Sequence, residues 1–292
     1  MERDALRATG VWYVTDGMAA AEAGEFAVRL EQLGYSALWI PDTIGRDPFA
    51  HLAYLATQTS TLRFATGIAS IFNRHPGTMK QAWLTLGEQT NDRFVLGLGV
   101  SHQPIVVGLR KLDYSKPRTQ MQQYLSAMDE SQYRGPAGAV PPRLLAALGP
   151  KMLETARDQA DGAHPYFTTP EHTAAAREIL GPDKLLCVEQ KVALTTDPAV
   201  GRERAAGTIA GYARLPNYRN NWLRLGYTED EIEQLDPRFV DAVVAWGDAD
   251  AIRRRVQDHY DAGADHVCIQ PLGGAGHGVP DWDVLESLAP TA

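Results

Sequence analysis

The chain has 292 residues, 44% of them hydrophobic and 22% charged, with a formal net charge of −8. That supplies apolar material for a sizeable core, and the acidic balance excludes the basic stripe that nucleic-acid phosphates require. The opening MERDALRATG lacks the apolar run of a secretory signal, and no stretch reaches the ~20 apolar residues that span a bilayer, so a cytoplasmic protein is expected.

Taken in chain order, the sequence repeats one signature. A helical segment ends at a glycine and a short apolar run follows: LEQLG then YSALWIP, RDQADG then AHPYF, DHYDAG then ADHVCIQP. Gly34, Gly162 and Gly263 are the expected left-handed residues just past each helix, where a missing Cβ removes the steric cost. The expected strands are 10–14, 37–40, 63–69, 94–100, 143–148, 163–167, 185–194 and 266–270. The expected helices are 20–33, 48–58, 76–90, 118–130, 151–159, 170–180, 199–214 and 250–261, several opening on a proline whose absent N–H is not needed in the first turn. Eight alternating βα units point to a closed (β/α)8 TIM barrel formed as a single domain over residues 1–292, with an open doubly wound sheet as the rival. Two connections are long. Residues 101–117 follow the fourth strand, and residues 215–246, after the seventh strand and its helix, carry Tyr218, Trp222, Tyr227 and Phe239 and read as a helical insertion. Cys187 and Cys268 lie in strand-like runs without metal or redox spacing and read as small buried residues, so no metal site is expected.

In such a barrel the chemistry sits on the loops after the strands. Those positions select Asp42; Asn73, Arg74 and His75; Ser101 and His102; Gly149 and Lys151; His164 and Tyr166; Glu189, Gln190 and Lys191; and the LGGAGHG loop at 272–278. Each has a plainer role. Asp42 can serve turn amides, His75 can cap the helix that starts at Pro76, Lys151 can be a solvated first-turn lysine, and His164 can be a core histidine. Glu189 and Lys191 can form a charged network inside the barrel. The LGPKM turn has a physical reason to take a phosphate, because Gly149 permits backbone approach and the helix N-terminus offers free amides and its positive dipole end. Gly97 and Gly99 in LGLG resemble the start of a dinucleotide fingerprint, yet the third glycine is missing and both lie within a strand.

Three segments together, FATGIASIFNRHPGTMKQAWLTL, NDRFVLGLGVSHQP and LGPKMLETARDQADGAHPYFTTPEH, resemble the luciferase-like monooxygenase family. The GVSH, LPNYRNNWLRLGY and ADHVCIQ segments are similar to its actinobacterial branch that uses the deazaflavin coenzyme F420. The resemblance implies a homodimeric enzyme that moves a hydride between the deazaflavin C5 and a small organic substrate, either alcohol/carbonyl or C=C. An FMN-dependent monooxygenase is the alternative on the same fold, and a non-catalytic flavin-binding protein is the alternative of another class. The resemblance also places a cis peptide at Gly67–Ile68 behind the cofactor ring, and Gly149, Pro150, Lys151 and Met152 at its phosphate. It makes His102 the catalytic acid/base, with Asp42 orienting His102, the ring or a catalytic water. Two departures stand out: His102 replaces an acidic proton donor of related sugar-phosphate dehydrogenases, and Thr43 replaces the histidine expected beside Asp42.

Overall fold

A computed structural model describes residues 6, 8–136, 138–273 and 279–290. The strands are β1 (Gly10–Trp12), β2 (Ala37–Ile40), β3 (Arg63–Thr66) with its short continuation β4 (Ala69–Ser70), β5 (Phe94–Gly99), β6 (Arg143–Leu145), β7 (Gly162–Ala163), β8 (Leu185–Leu194), β9 (Val244–Gly247) and β10 (His266–Pro271). Parallel pairings run β1–β2–β3–β5–β6–β7–β8–β10, and β10 returns to β1, which closes a (β/α)8 barrel. Helices α1 (Ala20–Gln32), α2 (Pro48–Gln58), α3 (Pro76–Gln89), α4 (Pro117–Glu130), α5 (Pro150–Gln159), α6 (Pro170–Leu180) and α7 (Pro198–Tyr212) alternate with the first seven barrel positions. The insertion folds as α8 (Pro216–Arg224), α9 (Glu229–Glu233) and α10 (Pro237–Val243), and α11 (Ala249–Asp261) and α12 (Trp282–Ser287) flank β10. Among the described residues no helix is long and apolar enough to cross a membrane.

Local chemistry fixes these boundaries. Asp47 accepts the amides of Phe49 and Ala50, and Thr169, Asp197 and Asp248 cap α6, α7 and α11 in the same way. Each satisfies orphan amides of a first helical turn. Along β5 the side chains alternate. Phe94, Leu96 and Leu98 pack outward with the helices, while Val95 joins Trp12, Trp39, Ala65, Leu144, Cys187 and Cys268 in a second cluster inside the barrel.

The structure departs from the expected strands in instructive places. The 63–69 run is not one strand: β3 stops at Thr66, the Gly67–Ile68 peptide is cis, and β4 then pairs with β5. The apolar runs at 143–148 and 163–167 outlast their ladders, because Tyr166 and Phe167 turn away to pack on Tyr212, Tyr218 and Trp222 of the α7–α8 region. The tail of the expected insertion contributes β9, which pairs with Lys191–Leu194 at the end of the long β8. The connection after β5 contains a π-helix, Pro104–Leu109, that leaves Val107 and Leu109 exposed. The two LGLG glycines are packing requirements. A Cβ on Gly97 would stand 2.0 Å from the Thr66 carbonyl oxygen, and one on Gly99 would stand 2.5 Å from Ile68 Cδ1.

Candidate active site

The C-terminal strand ends gather most of the expected residues at the barrel mouth. The Gly67–Ile68 turn is held from three sides. Trp12 Nε1 donates to the Gly67 carbonyl at 2.8 Å, the Gly67 amide donates to Ile40 O at 2.7 Å, and the Asp42 amide donates to Ile68 O at 3.1 Å. A Cβ on Gly67 would lie 2.6 Å from the Trp12 indole nitrogen, so the approach of β1 depends on glycine.

Asp42 follows β2, and its carboxylate is spent on the neighbouring loop. One oxygen accepts from Ser70 N at 3.2 Å, Asn73 Nδ2 at 2.8 Å and Arg74 Nη1 at 2.8 Å. Arg74 also pairs with Asp47 at the start of α2. None of the hydrogen bonds of Asp42 reaches His102, so the expected orienting contact between the two is not what the structure brings together. The plainer reading of His75 holds as well: its Nδ1 accepts from Gly77 N at the start of α3.

His102 follows β5 after Ser101, which adopts a positive φ of 55°. The His102 carbonyl accepts the amides of Ile105 and Val106, both at 2.9 Å, which anchors the π-helix on it. The imidazole meets the Tyr218 ring at 5.6 Å, from the start of α8. Its Nδ1 is buried and has no partner. Burial moves its pKa below the ordinary 6.5, with Asn217 acting in the opposite direction. The result is an imidazole that is neutral at pH 7 and has one nitrogen uncommitted.

Below the mouth lies a charged and aromatic network. Lys191 Nζ donates to Glu189 Oε1 at 3.1 Å and Gln270 Oε1 at 2.8 Å, and sits 3.8 Å over the Tyr166 ring. The second Glu189 oxygen accepts from Phe167 N at 2.9 Å, while the Tyr166 hydroxyl donates to Gln270 and meets the Tyr212 hydroxyl. Burial draws the Lys191 pKa down to about 8 against the pull of Glu189, and pushes the Glu189 carboxyl up. His164 is a core residue: Nδ1 bonds Cys187 O at 2.8 Å and the ring stacks on Trp39 at 4.3 Å.

At the start of α5, Gly149 is the N-cap and contributes no side-chain acceptor, and Pro150 opens the helix. Met152 N donates to Gly149 O, whereas the Lys151 side chain is exposed. The 272–278 loop falls largely outside the described residues, which exclude 274–278.

The family profile described as luciferase-like monooxygenase matches residues 5–266. The chain belongs to the luciferase-like monooxygenase family. A Mycobacterium tuberculosis protein named as a coenzyme F420-dependent oxidoreductase is 24% identical over 296 residues, covering 80% of this chain and 85% of the relative. The solved structure of an F420-dependent secondary alcohol dehydrogenase superposes with a TM-score of 0.72 at 15% identity, over 96% of this chain and 97% of that one. A type II Baeyer–Villiger monooxygenase, the oxygenating constituent of the Pseudomonas putida 3,6-diketocamphane enzyme in complex with FMN, superposes with a TM-score of 0.68 at 16% identity, over 97% and 96%.

In this luciferase-like enzyme, sequence reasoning missed the residues that the insertion lowers onto the mouth. Tyr218 reaches His102, and Trp222 Nε1 reaches Phe167 O at 3.4 Å. The four aromatics of 215–246 were the only signal that this segment packs back onto the barrel. Nothing in its pattern showed which strand end it meets.

Proposed function

We propose that this luciferase-like enzyme is an F420-dependent oxidoreductase acting on a small alcohol/carbonyl or C=C substrate. The observation that carries the reading is His102, a neutral, half-buried imidazole at a barrel strand end with its Nδ1 uncommitted. The F420-dependent relatives support the choice of cofactor.

The residues present fit such a group. The Gly67–Ile68 turn stands at the end of β3, and the α5 start, which has no side-chain cap, offers the Lys151 amide and its positive dipole end to a phosphate. A bound deazaflavin supplies a two-electron hydride carrier at C5. The chain supplies the rest. His102 gives or takes a proton at Nδ1, since an imidazole that is neutral at pH 7 can do either along a reversible reaction. The Tyr218 ring packs against that imidazole. Asp42 and Arg74 hold the 70–75 loop beside the cis turn, and the buried aromatics Tyr166, Tyr218 and Trp222, with half-buried Tyr212, keep bulk water from the mouth.

His102→Gln tests the role. Glutamine retains hydrogen bonding without proton exchange, so reduced-F420 oxidation against a panel of ketones and enones should fall by about two to four decades. F420 affinity should change by less than about tenfold. Normal turnover with an accepted substrate contradicts the role, and an equal loss of affinity and turnover makes His102 a ring contact instead. FMN-dependent monooxygenase chemistry is the second reading, favoured by the FMN-bound structural relative.

A further inference from the structure

We propose that Arg224 and Asn221 of the insertion are phosphoryl-group ligands, closing over the anion site that begins at Gly149. The proposal rests on the cofactor reading for the source of the phosphoryl group, and on geometry for the site.

Arg224 faces the turn directly. A Cβ placed on Gly149 would meet only two heavy atoms within 4 Å, Arg224 Nη2 at 3.5 Å and Cζ at 3.9 Å. The guanidinium therefore stands against a helix start that lacks a side-chain cap. Among the described residues no carboxylate pairs with it, whereas Arg219 on the same helix pairs with Glu229 and Glu233. Its one hydrogen bond in the described structure runs to Asn221 Oδ1 at 3.2 Å.

Buried polar atoms around the same place lack partners. Asn221 is 1% exposed, and with its oxygen facing Arg224 its Nδ2 has no acceptor. Thr168 is fully buried, and its Oγ1 has no partner. The helix that follows Thr168 meets the residue before Gly149, since His172 Nε2 donates to Leu148 O at 2.9 Å. Trp222 pins α8 beside Thr168 through Phe167 O. Buried donors left unmade are costly, and native structures seldom retain several in one place. An anion at this helix start supplies the missing acceptor: the Lys151 amide, left free beside Pro150, the Arg224 guanidinium and Asn221 Nδ2 are the donors it would take. Arg224 offers the planar fork suited to phosphate oxygens. Because both residues belong to α8, which also carries Tyr218 against His102, gripping the phosphoryl group seats the insertion over the acid/base.

The test is a fluorescence titration of wild type, Arg224→Gln and Asn221→Ala with F420 and with its phosphate-free deazaflavin ribityl core. A parallel arm measures the rise in thermal midpoint given by inorganic phosphate over chloride at equal ionic strength. Loss of a charge-assisted hydrogen bond predicts about tenfold or more weaker F420 binding in Arg224→Gln, a smaller loss in Asn221→Ala, and an unchanged affinity for the core. Phosphate should raise the midpoint of wild type more than that of Arg224→Gln. Folded variants that bind F420 as wild type does overturn the proposal. Failure of wild type to bind either deazaflavin removes the cofactor reading, and the site is then decided by the phosphate arm alone: a differential shift sustains it for a phosphorylated ligand of another source, and equal shifts overturn it.

Discussion

Arg74 Nη1 donates to Asp42 Oδ2 at 2.8 Å and ties the end of β2 to the loop after β4, with the two side chains 13% and 5% exposed. Three donors converge on that one carboxylate oxygen, so the charge of Asp42 organises the 70–75 loop. Asp42→Asn retains the shape and loses the charge, and should lower unfolding stability by about 1.5–3 kcal/mol, the range for hydrogen bonds to charged groups. Urea denaturation checks the stability. The pH profile of turnover in the same variant should keep the wild-type inflection, because the carboxylate of Asp42 is bonded to Ser70, Asn73 and Arg74 and not to His102. A displaced inflection with unchanged stability would return Asp42 to the proton-transfer machinery.

Lys191 and Glu189 are both fully buried and bound to each other. Lys191→Met leaves a buried carboxylate with its main counter-charge gone, so a destabilisation of about 3–5 kcal/mol is expected. Glu189→Gln added to Lys191→Met should recover much of that loss, since replacing a buried pair as a unit is far cheaper than breaking it. Denaturation midpoints of the two single variants and the double variant read the coupling directly, and additive losses would contradict it.

Acid should weaken the fold before ordinary carboxylates titrate. Burial pulls the pKa of His164 and of His266 from 6.5 to about 4. Between those values the unfolded chain binds more protons than the folded one. Their contribution is therefore complete above about pH 6.5 and is lost as pH falls toward 4, on the order of 3 kcal/mol for each group. Urea midpoints at pH 7, 6, 5 and 4.5 should decline already between 7 and 5. A midpoint that stays flat down to pH 5 would mean that these imidazoles are not held neutral.

The barrel was legible because its cues are local. Prolines open α2 through α7, Gly34 and Gly263 follow their helices in the left-handed conformation, and the alternation along β5 separates the outer from the inner core; Gly162, expected to do the same, instead lies in β7 with no positive φ. The Gly67–Ile68 turn and the start of α5 were legible through family resemblance together with helix-end physics. What stayed hidden depends on contacts between distant segments. The Arg74–Asp42 pair spans 32 positions, and the approach of Arg224 to Gly149 joins an insertion helix to a strand end with no periodic signal in either. The glycines of LGLG looked like a nucleotide motif, yet their cause is the close passage of β3 and the Ile68 side chain. The strand β9 was concealed because Val244–Gly247 is too short to announce itself beside the aromatic helices before it.

Side-by-side equilibrium titration of the purified protein with F420 and FMN tests the proposed F420 dependence most directly. At the same salt and pH, F420 should bind at least about tenfold more tightly, a difference of about 1.4 kcal/mol. Equal or tighter binding of FMN would contradict the account and turn the same mouth over to flavin monooxygenase chemistry.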